Sequence, residues 1–145
     1  VVAEKKQGVG MTIYISGAMS GIPQYNAPAF KQAQQQIKRL AKRCPQIKFR
    51  IINPVNIGAS MRAAFAKKDK GEPEWADYMR GCIKKLSDAD AAFFLPDWVQ
   101  SKGASLERHI ASRLGISCAD NMEALKKIIK DFAKVNSLES SERGK

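Results

Sequence analysis

Short apolar runs at 12–16, 49–52, 91–95 and 116–118 alternate with segments whose apolar residues recur at helical spacing, and this alternation constrains the fold more than any other feature. Runs this short, separated by amphipathic helices, cannot pair as hairpins. They predict a mostly parallel sheet covered on both faces. The expected architecture is a three-layer α/β/α, doubly wound sheet of four to five strands, flavodoxin- or Rossmann-like.

The boundaries follow from local chemistry. Strand one is read as Thr12 to Ser16; Asn26 is placed as the cap of a helix with Pro28 in its first turn and a buried stripe of Phe30, Ala33, Ile37, Leu40 and Ala41. Phe49, Ile51 and Ile52 mark strand two, which stops at Asn53-Pro54 because proline cannot extend a central strand. Within 57–73, read as a mobile flap, Met61 to Lys67 forms at most a short helix. A helix from about Glu74 to Leu86 presents Tyr78, Met79, Cys82, Ile83 and Leu86 inward, and strand three covers Ala91 to Leu95. Then come a helix from Gly103 to Leu114, a strand from Ile116 to Cys118 and a last helix lined by Met122, Leu125, Ile128, Ile129 and Phe132. Residues 1–10 read as a flexible arm, 11–135 as one domain and 136–145 as a disordered tail.

At 145 residues and 44% hydrophobic content, one ordinary core is expected. The apolar runs are too short for a membrane span and the charged N-terminus lacks a signal core, so a soluble cytoplasmic protein is expected. Cys44, Cys82 and Cys118 are odd in number and widely spaced, a pattern that fits reduced thiols rather than a disulfide framework or a zinc site. The net charge of +11 attracts anions without choosing among nucleotides, nucleic acid and acidic surfaces. Much of it lies on Lys38, Arg39, Lys42 and Arg43 and on Lys126, Lys127, Lys130 and Lys134, opposite apolar stripes, where a solvated helix face is the ordinary explanation.

In an open parallel sheet, ligands bind beyond the carboxyl ends of the strands. Three segments converge there: the loop Ser16-Gly17-Ala18-Met19-Ser20-Gly21, the turn at Asn53, and the connection from Leu95 through Ser101 and Gly103 to a helix whose first turn is read as carrying Glu107. Gly17 and Gly21 allow a sharp turn and close approach to a ligand, while nearby N–H groups and the Ser16 and Ser20 hydroxyls are candidate phosphate donors. The loop lacks the Gly-Lys-Ser/Thr ending of a Walker motif. In isolation an ordinary strand-to-helix turn is the better explanation of it, and a first-turn glutamate is favoured by the helix dipole alone.

Taken together, SGAMSG after strand one, NP after strand two, DAAFFLPDW and SKGASLE resemble a small bacterial and phage family related to the nucleoside 2-deoxyribosyltransferases and the deoxynucleoside-monophosphate N-glycosidases. The resemblance runs from about Met11 to Ile116. It implies a glutamate nucleophile at Glu107 that attacks the anomeric carbon, with no metal and no cofactor. A carboxylate suits an oxocarbenium-like transition state, which it captures as a glycosyl ester. Tyr14 stands where relatives hold an aromatic hydroxyl near the nucleophile, and simple strand packing is the competing account. Ser101 stands where nucleoside-using relatives tend to carry aspartate and monophosphate hydrolases serine; a serine can donate to a 5′-phosphate that an aspartate would repel.

Cys82 departs from the family pattern, occupying the position where relatives place an acid beside the departing base. A thiol is a poor general acid for this step. Asp77, Asp88 and Asp90 are candidate substitutes, and Asp90, at the head of strand three, is the one expected to reach the site.

The leading expectation is cleavage or transfer at the N-glycosidic bond of a nucleoside monophosphate. A non-catalytic nucleotide sensor or sequestering protein is the first alternative, permitted by Cys82. A nucleic-acid-binding protein is the second, disfavoured because aromatic content is 8% and no exposed stacking platform is evident. The Asp-Ala-Asp at 88–90 is too common a tripeptide to support a metal-dependent sugar transferase. The resemblance also implies a homodimer or higher homo-oligomer in which a neighbour completes the pocket.

Overall fold

The computed structural model describes residues 9–143. Four strands, β1 (Val9–Ser16), β2 (Ile47–Ile52), β3 (Ala91–Phe94) and β4 (Ser117–Ala119), form an all-parallel sheet in the order β2-β1-β3-β4. Five helices connect and cover them: α1 (Ala27–Ala41), α2 (Pro54–Lys67), α3 (Trp75–Ser87), α4 (Lys102–Arg113) and α5 (Met122–Arg143). The fold is the expected three-layer α/β/α, Rossmann-like arrangement.

The period-two alternation of β1 divides the core. Met11, Ile13 and Ile15 face α1 and α5, where they pack with Phe30, Ala33, Ile37, Leu125 and Ile129. Tyr14 points the other way, into a second cluster with Cys82 and Leu86 of α3, Ala92 and Phe94 of β3 and Ala111 of α4. The chain runs from β1 outward to β2 and then crosses to β3 on the opposite side of β1. The strand order therefore reverses between β1 and β3, and a crevice opens at their carboxyl ends.

Several elements depart from the boundaries read in the sequence. β1 begins at Val9, so the last two residues of the expected arm belong to the sheet, where Val9 pairs with Ile47 and Gly10 with Lys48. Residues 1–8 lie outside the described residues. The expected flap begins inside a regular helix: Asn53 caps α2, its side chain accepting from the Val55 N–H at 3.0 Å, and Pro54 supplies the first turn. At the other end, α5 continues through Arg143, past the expected boundary at 135; Gly144 and Lys145 lie outside the described residues. Among the described residues no helix is long and apolar enough to cross a membrane.

Candidate functional site

The crevice holds a cleft of about 220 Å³, small beside the roughly 300–1,000 Å³ usual for ligand pockets and suited to one small molecule. Its walls come from the loop after β1, from α2 and α3, and from the start of α4. Glu107 lies among its lining residues.

Glu107 is not in an exposed first turn. Ser101 is the N-cap of α4, its Oγ accepting from the Ala104 N–H at 3.1 Å, so the helix starts at Lys102 and Glu107 falls in its second turn. There it shares the inward stripe of Ala104 and Ala111, spaced three and four residues along the helix, and is only 5% exposed. The two alanines let the helix lie close to the sheet. The Tyr14 hydroxyl donates to Oε2 at 2.5 Å and the Ser16 hydroxyl to Oε1 at 2.6 Å. Because Tyr14 and Ser16 are two residues apart on one strand, both side chains emerge on the face that α4 covers. The carboxyl group is thereby fixed in orientation, with one further acceptor direction left on each oxygen.

Burial raises the Glu107 carboxyl above its ordinary range, and the two hydroxyl bonds oppose that rise without cancelling it. The Tyr14 phenol is pushed well above its usual value by burial and by the neighbouring carboxylate, so it remains a proton donor at ordinary pH. Cys82, on the inward face of α3, is pushed up to about 11, first by burial and then by Glu107. It lines the cleft as an uncharged thiol.

Ser16 is completely buried and spends its hydroxyl on Glu107, so it positions the carboxylate rather than a phosphate. Gly17, Met19 and Ser20 line the cleft. A Cβ on Gly17 would stand 2.6 Å from Leu95 Cδ1, which explains the glycine by the close approach of the ends of β1 and β3 rather than by a left-handed backbone. Ala18 turns its carbonyl to Asn26, whose Nδ2 donates to it at 3.0 Å, and Gly21 takes a positive φ of 77° in the turn that follows. Neither borders the cleft.

Asn53 is also committed elsewhere: its oxygen caps α2 and its amide donates to Gln34 Oε1 at 3.1 Å. Ser101 and Gly103 do line the cleft, and the Ser101 hydroxyl proton stays available while its oxygen serves the cap. Asp90 is not brought to the site. It precedes β3 at the amino end of the strands, where its carboxylate accepts from the Thr12 N–H at 2.8 Å; in a parallel sheet that is the end opposite the crevice.

Apart from Tyr78, expected on the inward face of its helix, the outer wall was not foreseen from the sequence. Arg62 of α2, Tyr25 of the turn before α1, and Trp75 and Tyr78 of α3 all line the cleft. The Arg62 guanidinium lies 4.4 Å from the centre of the Tyr25 ring, and the Lys102 ammonium lies 4.4 Å from that of Trp75. The available signal was the spacing of Gly58 and Arg62, one helical turn apart after the NP motif.

Behind Glu107, Arg108 stacks on Phe94 and Trp98 and donates to Asp120 at 2.6 Å, joining α4 to the ends of β3 and β4. This contact helps to fix the helix that carries the carboxylate. The pair is partly solvated, so its stabilising effect belongs with surface ion pairs at about 1 kcal/mol or less.

These features define a three-layer α/β/α protein with a buried, hydroxyl-held carboxyl group at the reversal point of its sheet. Residues 11–120 match the family described as a domain of unknown function, DUF4406, and the chain belongs to that family. No curated protein and no solved structure matches it.

Proposed function

We propose that the protein cleaves or exchanges the N-glycosidic bond of a nucleoside monophosphate, with Glu107 as nucleophile. The observation that carries this reading is the buried Glu107 carboxyl at the cleft, both of whose oxygens are held by hydroxyl donors from one strand. In its ionised form, one oxygen bonds to the anomeric carbon as the carbon–nitrogen bond breaks. The bonding pair leaves with the base, which takes a proton from solvent water, and that water is restored when the attacking water or base gives up its own proton. Water or a second base then attacks the same carbon and releases Glu107.

A carboxylate removed from bulk water and pre-oriented by fixed donors is well suited to stabilising the positive charge that develops on the sugar. The motif resemblance to the deoxyribosyltransferases points the same way, and the small cleft fits one nucleotide better than a polymer.

Cys82 favours a second reading, a nucleotide-binding protein without efficient turnover. A thiol held at about 11 is a weak proton donor for a departing base.

The test is chromatographic detection of free base after incubation with a panel of 2′-deoxynucleoside and ribonucleoside 5′-monophosphates. The parent protein is expected to release base, and Glu107→Gln and Glu107→Ala to lose at least about 1,000-fold in rate, as loss of a covalent nucleophile commonly does. Equal release by parent and folded Glu107→Ala protein would remove Glu107 from the chemistry. Binding with no release from any member of the panel would establish the second reading.

A further inference from the structure

The outer wall of the cleft contains a cation with most of its donors unused. Arg62 Nη1 meets the Tyr78 hydroxyl only at 3.5 Å, and among the described residues no carboxylate lies within 4.0 Å of its guanidinium. Glu72 acts on it only from farther away. A guanidinium has five N–H donors in a planar fork, so nearly the whole edge of this one is free.

Local structure is arranged around it. The Tyr25 ring lies 4.4 Å from the guanidinium carbon and the Tyr78 ring 5.9 Å, contacts that orient the plane and leave its edges open. To place Tyr25 there, Gln24, Tyr25 and Asn26 adopt consecutive φ values of 58°, 55° and 63°. Left-handed geometry is unfavourable at residues with a Cβ, and a run of three needs support from its surroundings. Asn26 gives some of it by bonding to the Ala18 carbonyl, which ties this turn to the loop after β1. One helical turn before Arg62 stands Gly58; a Cβ there would come 3.3 Å from Arg62 Nη1 and 3.5 Å from the Tyr78 ring. The glycine leaves space for the guanidinium against its own helix.

We infer that Arg62 reads the phosphate of the ligand, so that α2 supplies the residue that distinguishes phosphorylated from unphosphorylated molecules. A planar, pre-oriented fork with free edges matches the oxygens of a phosphomonoester, and the hydroxyls of Ser20 and Ser101 line the same cleft as further donors. The proposed nucleotide chemistry supplies only the identity of the remainder of the ligand; the recognition of phosphate stands on Arg62 and its surroundings.

Calorimetric titration with inorganic phosphate, 2-deoxyribose 5-phosphate and matched nucleoside and nucleoside monophosphate pairs tests this on the parent, Arg62→Met and Arg62→Lys proteins. Arg62→Met is expected to weaken every phosphate-bearing probe by about ten- to a hundred-fold, the usual effect of losing a hydrogen bond to a charged group. Nucleoside affinity should fall by a much smaller factor, so the phosphate preference itself is lost. Arg62→Lys keeps the charge but loses the fork and should fall between the two, which also decides the matter if Arg62→Met does not fold. Failure of the parent to bind any phosphate probe, or equal binding of these probes by the parent and both variants, would overturn the inference. If phosphate and deoxyribose phosphate bind through Arg62 while no nucleotide binds, the role of Arg62 stands and the nucleotide function falls. Nucleotides that bind equally with and without Arg62 give the reverse.

Discussion

Two opposing influences act on the Glu107 carboxyl, and the larger one, burial, favours its neutral form. An unfolded glutamate titrates near pH 4.3. Between that value and the higher folded one, the native protein retains a proton that the unfolded chain has released. Stability therefore falls as pH rises through this window and levels off above the folded value. Glu107→Gln removes the titration while its amide can still bond to the Tyr14 and Ser16 hydroxyls, whose protons can rotate. The variant is expected to melt a few degrees above the parent at pH 7, with the difference vanishing below about pH 4. Calorimetry across this range checks it; a variant less stable than the parent at pH 7 but equal to it below about pH 4 would mean that the charge-assisted bonds outweigh desolvation. Part of this site was legible residue by residue. Tyr14 was expected beside Glu107, but Ser16 was expected to face a ligand, because a loop motif read as a string does not show that alternate strand residues share a face.

At the scale of elements, α3 and α2 give opposite lessons. The inward face of α3 was legible because Met79, Cys82 and Leu86 repeat at helical spacing and are all buried. That face sets the Cys82 thiol near Glu107 and Tyr14, whose interactions both act on it. An aspartate at this position would be held protonated by the same burial and the same neighbouring carboxylate, a useful state for an acid beside a departing base. Cys82→Asp is therefore expected to raise base release by at least about tenfold, a fraction of what general acid catalysis commonly supplies, and to lower the melting temperature. A stable Cys82→Asp protein that releases no base would favour the binding-protein reading. The sequence showed only the second half of α2, as a short helix over Met61 to Lys67, because the buried residues of this helix are Pro54 and Gly58 rather than an apolar stripe. A helix that faces a cleft lacks the periodic apolar signal that packing against a core imposes. Glu107 was expected in an exposed first turn, whereas the Ser101 cap and the alanine stripe place it in the second, buried one.

Across the whole molecule, the topology determines which residues can meet. Alternating strands and helices were enough to read a parallel sheet with its site at the carboxyl ends, yet Asp90 was assigned to that site although it starts a strand and so lies at the far end. The excess positive charge has a similarly readable geometry. Lys38 and Arg39 of α1, Lys42 just after it, and Lys126, Lys127, Lys130 and Lys134 of α5 are exposed, on the layer of helices across the sheet from α2, α3 and α4. They do not line the cleft, so no direct contact with a molecule bound there is expected from them, but a chain with net charge +11 still draws anions from solution. The field reaches about 30 Å at 0.01 M salt and about 8 Å at 0.15 M. Raising the salt between these values is expected to slow monophosphate association several-fold while leaving nucleoside association unchanged. The double substitution Lys38→Glu and Lys42→Glu should slow monophosphate association at low salt without altering its dissociation rate, because the contacts within the cleft remain intact. Stopped-flow measurement of both rates separates this steering from direct contact; faster dissociation in the double variant would show that the α1 lysines touch the ligand and that the binding site extends beyond the cleft.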